Sequence, residues 1–122
     1  MDKRTVRQDE LVIYGENGEE VLVIRECLDE RCVYMTLQGK INMNAAYDFE
    51  DELTAAATVR NQITVDFSGV DAISSAGIKA LLLVQRILDK RADGELKLKS
   101  MKTAVYEMFD EMGFSDLFEI EA

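Results

Sequence analysis

This sequence predicts an α/β fold built on a mixed sheet, on three observations. After residue 40, β-rich runs alternate with amphipathic helices, the pattern of parallel strands joined by crossovers. Before residue 40 the β-rich runs follow one another directly, and Asn17-Gly18 between the first two is a hairpin turn signal. At 122 residues, with 48% hydrophobic and 31% charged residues, the chain suits one globular domain with one core.

Residues 1–10 are polar and read as loose. Leu11–Tyr14, Val21–Ile24 and Cys32–Leu37 are the strands of an antiparallel meander, with Val33, Met35 and Leu37 alternating onto one face. Ala46, Phe49, Leu53 and Ala56 recur at helical spacing, so 44–57 is an amphipathic helix with Asn42 or Asn44 available as its N-cap. Ile63–Phe67 is a short β-branched strand, followed by a polar loop and a second helix from Ala76 to Leu88. Asp93-Gly94 is a turn and Leu96–Leu98 a strand. Ser100 is expected to cap a third helix, in which Met101, Ala104, Val105, Met108, Phe109 and Met112 keep the i, i+3, i+4, i+7 pattern. Gly113 stands at that helix's C′ position. Leu117–Ile120 closes the chain as a strand or extended segment.

Composition narrows the function. Fourteen basic against twenty-four acidic residues give a net charge of −10, which disfavours nucleic acid and anionic membrane surfaces as partners. No apolar leader follows Met1, and the longest apolar run, Ala80–Val84, is far too short to span a bilayer, so a cytoplasmic protein without membrane insertion is expected. The absence of histidine removes His-based acid–base chemistry and most catalytic zinc sites. Cys27 and Cys32 flank a charged stretch that reads as a hairpin loop. Two cysteines alone make neither a disulfide framework nor a zinc site, and they are read as small strand residues. Nothing in the sequence calls for a metal or a cofactor.

Chemistry concentrates in Val65–Ile78, where a buried strand leads through Ser68 to Ser74-Ser75 and straight into an apolar helix. A hydroxyl at a helix N-terminus can cap the helix, act as a nucleophile or accept phosphate. The nucleophile elbow Gly-x-Ser-x-Gly is not met around Ser75, where Ile73 stands two residues before. A Walker A loop fails because no lysine lies between Gly69 and Gly77, and dinucleotide binding fails for want of a glycine triplet. A phosphoaspartate receiver at Asp66 lacks its acidic pair, since Asp29-Glu30 falls in the hairpin loop. Asp66 is better explained as a residue bonding loop amides near the strand end. No catalytic residue is assigned.

Residues 63–83, Ile-Thr-Val-Asp-Phe-Ser-Gly-Val-Asp-Ala-Ile-Ser-Ser-Ala-Gly-Ile-Lys-Ala-Leu-Leu-Leu, closely resemble the signature of the STAS domain. That family is shared by anti-sigma factor antagonists and the cytoplasmic tails of sulphate transporters. The resemblance runs from about Val21 to Ile120 and includes Gly39-Lys40-Ile41, Gly113-Phe114 and the closing Leu117–Ile120. It implies a mixed sheet of about four to five strands with three to four helices mainly on one face. Residues 1–20 would be an N-terminal extension and 21–122 the domain. Leu11–Tyr14 would be an extra edge strand, able to cover the sheet or to pair two copies as a homodimer.

Functionally the resemblance implies a non-enzymatic switch. Its partner is an anti-sigma factor of the serine-kinase type, which phosphorylates the second serine of the pair, here Ser75. The partner-binding face comprises Asn42, Ser68, Ser74, Ser75, Ala76, Gly77 and Lys79. Phosphorylated members of the family often carry Asp where this chain has Ser74 and Asn42. The alternative reading is a non-phosphorylated STAS interaction module, serving as a signalling scaffold subunit or as the small partner of a membrane transporter.

Overall fold

The structure is a computed structural model and describes residues 4–7 and 10–122. Among these residues seven strands form one sheet in strictly sequential order: β1 (Arg4–Arg7), β2 (Glu10–Tyr14), β3 (Glu20–Leu28), β4 (Cys32–Ile41), β5 (Gln62–Ile73), β6 (Glu95–Lys99) and β7 (Glu119–Glu121). β1 to β4 pair antiparallel and β4 to β7 pair parallel. Helices α1 (Ala45–Val59), α2 (Ser75–Asp89) and α3 (Thr103–Glu111) make the three crossovers between the parallel strands. The mixed α/β class expected from the sequence holds, with more strands than four to five.

The three helices share one face of the sheet. Leu22, Ile24, Val33, Met35, Leu37, Ile63, Val65, Phe67, Leu96 and Leu98 alternate along their strands into a single buried cluster. Phe49 and Leu53 of α1, Leu81 and Val84 of α2, and Val105 and Phe109 of α3 complete it. The intervening residues Arg25, Tyr34, Thr36, Thr64, Asp66, Lys97 and Lys99 form a polar face without a helical layer. Lys99 lies over the Tyr34 ring at 4.9 Å, a cation–π contact on that open side. On the covered side, Phe109 meets Phe67 and Phe118 edge to face at 6.5 and 5.4 Å, which draws the last strand onto the core.

Several local expectations change. Residues 4–7 are not loose but pair with β2 as the edge strand, while residues 1–3, 8 and 9 lie outside the described residues. The polar loop expected after Phe67 is strand. β5 runs on to Ile73 because two register irregularities against β4, at Thr36/Gln38 and Gly39/Lys40, absorb extra residues as bulges. Local composition reads a bulged, polar strand end as a loop, since only the partner strand supplies its ladder.

Ser100 does not cap α3. Its backbone has φ 62°, its amide donates to the Glu121 carbonyl at 2.9 Å, and α3 begins only at Thr103, after Lys102, with no side-chain cap. The reversal out of β6 takes up the residues that the hydrophobic period assigned to the helix. Gly113 is at C′ as expected, with φ 75°. Phe114 N–H bonds Phe109 C=O at 2.9 Å and Gly113 N–H bonds Asp110 C=O at 3.0 Å, the two bonds of a Schellman motif. The cysteines are free thiols, and Cys32 Sγ points to Thr64 Oγ1 at 3.7 Å.

Candidate functional site at the start of the second helix

Parallel pairing brings the carboxyl ends of β4 and β5 together, with Ile41 opposite Ile73. Open α/β sheets bind ligands beyond such strand ends. Ser74 N–H donates to the Ile41 carbonyl at 2.7 Å, so the turn into α1 and the turn into α2 are tied side by side.

The two serines divide the work. Ser74 has extended backbone (φ −83°, ψ 164°), and its Oγ accepts the Gly77 amide at 3.2 Å, so it is the N-cap of α2. Ser75 is the first helical residue and is half-buried; among the described residues its hydroxyl has no hydrogen bond. The α2 terminus offers that hydroxyl a positive dipole end, and no acidic residue stands in the first turn. Gly77 is buried, and a Cβ there would lie 2.8 Å from Ile41 Cγ2 and 2.9 Å from Ile73 Cγ1. Its lack of a side chain lets α2 start hard against both strand ends. Ala76 is half-buried beside it and Lys79 is exposed one turn on.

Of the two asparagines, Asn42 performs the capping. Its Oδ1 accepts the Ala45 amide at 2.8 Å, and its carbonyl takes the Ala46 amide at 2.9 Å. Asn44, already helical at φ −72° and ψ −42°, makes no side-chain cap. Asn42, Ser74, Ser75, Ala76, Gly77 and Lys79 therefore share one end of the molecule. Ser68 stands apart, six positions before Ser74 along an extended strand, about 20 Å at the usual rise per residue. It is exposed, and its amide donates to Asp66 Oδ1 at 2.8 Å, the loop-type bond expected of Asp66.

Two carboxyl contacts and one exposed apolar pair were not legible in the sequence. Lys102 Nζ meets Asp71 Oδ1 at 2.6 Å across the α3 entry, and this hydrogen bond holds the Asp71 carboxyl below its usual range. Glu26, on the covered face of β3, meets Glu52 of α1. Burial pushes the Glu26 carboxyl up to about 8, with the Glu52 hydrogen bond and charge adding to the rise. Met43 and Tyr47, in the turn before α1 and its first turn, are exposed apolar side chains. Their signal in the sequence is that both stand off the buried stripe Ala45, Ala46, Phe49, Leu53.

No group of three or more Asp, Glu, His or Cys suited to a metal occurs among the described residues. A hollow of about 280 Å³ lies between the β2–β3 hairpin and the start of α1, lined by Glu16, Glu19, Asn42 and Asp48 among others. Among the described residues no acid or base hydrogen-bonds the Ser75 hydroxyl. No helix of the described residues is long and apolar enough to cross a membrane.

The chain is thus a mixed sheet covered by helices on one face, with a serine pair opening its second crossover helix. Residues 24–119 match the family model described as "Mlab, STAS domain". The chain belongs to the STAS domain family. It is 36% identical over 85 residues, 69% of this chain and 72% of the other, to the Bordetella bronchiseptica protein named "Putative anti-sigma factor antagonist BtrV". Among solved structures it superposes on an anti-sigma factor antagonist from Mycobacterium paratuberculosis with a TM-score of 0.73 at 18% identity, covering 82% of this chain and 85% of that one. The Bacillus cell fate determinant SpoIIAA in its phosphorylated form gives a TM-score of 0.64 at 17% identity, covering 81% and 90%. These two likenesses speak for the fold.

Proposed function

We propose that the chain is an anti-sigma factor antagonist, a regulatory binding protein rather than an enzyme, acting in the cytoplasm. Its partner is an anti-sigma factor of the serine-kinase type, bound through Asn42, Ser68 and Ser74 to Lys79. The single observation that carries this reading is the division between the serines: Ser74 is occupied as the cap, and Ser75 presents an unbonded hydroxyl at a helix start. In the transfer, Ser75 Oγ bonds to the γ-phosphorus of ATP, the bond to the β-phosphate bridge breaks, ADP departs and the hydroxyl proton passes to a base on the kinase.

Phosphate adds about −1.5 to −2 charges at the α2 N-terminus, where the dipole tolerates it, so the fold persists. In a closed interface the same charge is desolvated. Disrupting a buried polar contact costs about 2–5 kcal/mol, roughly thirty-fold to several-thousand-fold in affinity. Phosphorylation of Ser75 thus releases the partner.

The test is intact-mass analysis after incubation with the cognate kinase and ATP, with binding measured for Ser75→Ala and Ser75→Asp. One phosphate on Ser75 and weak binding by the Asp variant alone are expected. No phosphate, with equal binding by both variants, overturns the reading. A second reading follows from the caps: Asn42 and Ser74, standing where phosphorylated relatives often carry Asp, are both engaged in helix capping. It makes the chain a non-phosphorylated module of a signalling scaffold or a transporter, and co-purification with such subunits and no kinase would favour it.

A further inference from the structure

Met43 and Tyr47 are the two most exposed large apolar side chains among the described residues, at 66% and 69%. They stand four positions apart on backbone that is already helical at Asn44, and so share one side of the α1 start. Neither contributes to the core, which α1 fills with Ala45, Ala46, Phe49, Leu53, Ala56 and Ala57. Their backbone is nevertheless held firmly. Asn42 caps the turn that carries Met43, and the Ile41 carbonyl ties that turn to the Ser74 amide. With the backbone already fixed, docking orders only the two side chains, and Tyr and Met are enriched at the centres of protein interfaces.

Charge sets the partner's chemistry. Between Asn42 and Val59 the chain has four acids, Asp48, Glu50, Asp51 and Glu52, and no base. Asp51 is exposed one further turn along the side that carries Met43 and Tyr47. The bases near the serines, Lys40 and Lys79, lie outside α1. The apolar pair is therefore bordered by acid on its helical side.

We propose that Met43 and Tyr47 anchor the partner interface by seating in an apolar pocket of a protein whose surface beside that pocket is basic and meets the acids of α1. This deepens the proposed function and rests on it for the identity of the partner, not for the anchor. Ser75 is the switch and the Met43–Tyr47 pair is the grip. The grip supplies affinity through contacts that phosphorylation does not touch.

The test places a photo-crosslinking residue at Tyr47 or Met43 of the full chain, with Leu28 and Tyr106 as exposed apolar control sites. Each variant is irradiated in extract of the native host at low and high salt. Expected are protein adducts at 43 and 47 about tenfold above the control sites. The crosslinked peptides should combine apolar residues with excess Lys/Arg, and yields should fall several-fold from 0.05 to 0.5 M NaCl as screening sets in. The double variant Met43→Ala/Tyr47→Ala should keep the wild-type melting temperature and bind the purified adduct partner at least about thirtyfold more weakly, as two hot-spot residues do.

Equal yields at all four sites, an acidic crosslinked peptide or adducts only to a second copy of this chain would overturn the anchor. Repeating the crosslink with Ser75→Asp separates the two ideas. A basic, non-kinase partner that ignores Ser75→Asp sinks the proposed function and leaves the anchor standing. A kinase that phosphorylates Ser75 but never reaches position 47 does the reverse.

Discussion

Where the parallel strands begin, long-range side-chain bonds hold the molecule together. Arg91, just beyond α2, donates to the Ala57 carbonyl at 2.5 Å and to Asn61 Oδ1 at 3.0 Å, which satisfies the end of α1. Arg60 Nε reaches the Asp29 carbonyl at 2.8 Å, and Asn61 bonds Asp93 at 2.8 Å. Each of these bonds joins residues about thirty positions apart. Where the strands end, the side-chain bonds are mostly local: Asn42 to Ala45, Ser74 to Gly77 and Asp66 to Ser68. One end spends its polar groups on clamping elements to one another. The other mostly shapes its turns, Lys102 to Asp71 being the long-range exception, and it leaves the Ser75 hydroxyl unbonded and two apolar side chains exposed. The proposed docking end is the one that keeps such groups uncommitted.

The largest expected effect falls on the backbone that shapes the proposed docking end. Gly39 has φ 115°, and a Cβ there would lie 2.1 Å from the Val21 carbonyl oxygen. Gly39→Ala should lower stability by about 3 kcal/mol or more in urea titration, from left-handed strain plus a backbone clash. A smaller loss would mean that β3 and β4 can part there. At the clamped end, Arg91→Ala should lose about 2 kcal/mol by the same measurement, since it strips charged donors from half-buried carbonyls. A loss under about 0.5 kcal/mol would erase the contrast between the ends.

The serines give the sharper comparison. Ser74→Ala should lower stability by about 1 kcal/mol through loss of the cap. Ser75→Ala should stay within about 0.5 kcal/mol, because nothing in the fold uses its hydroxyl. Equal losses in thermal or urea unfolding would show that Ser75 is structural after all.

A separate prediction concerns the dependence on pH. Glu26, with its carboxyl raised from 4.5 to about 8, keeps a proton in the native form that the unfolded chain releases. Its contribution is complete below about 4.5 and is lost as pH rises through about 8. Asp29 and Asp71 are lowered, the first chiefly by the Arg31 amide and the second by Lys102, so their contribution is lost only on acidification below the usual carboxylate range. Glu26→Gln should flatten the decline in urea midpoint between pH 5 and pH 8 and raise the midpoint at pH 8. An unchanged slope would place the titration elsewhere.

Much of this was legible along the chain because its cause is local. The α1 and α2 periods, the Gly113 terminus and the β-branched core of β5 follow from side-chain periodicity and backbone freedom within a few residues. The 63–83 pattern marked the serine pair in the same way. Ser100 misled because a serine before an apolar period looks like a cap until β7 claims its amide. The far half of β5 misled because a bulge is defined by the partner strand and not by the residues that form it.

By itself the sequence determined the class of fold, the absence of histidine chemistry and the position of two serines at a helix start. Those depend on composition and short-range pattern. Only the tertiary structure decided which serine caps and which stays unbonded, that Asn42 rather than Asn44 closes the neighbouring turn, and that Met43 and Tyr47 stand beside them. Each of these depends on how β4 and β5 lie in register, with Ile41 against Ile73 and the Ser74 amide on the Ile41 carbonyl. That register joins residues some thirty positions apart, beyond the reach of any local signal.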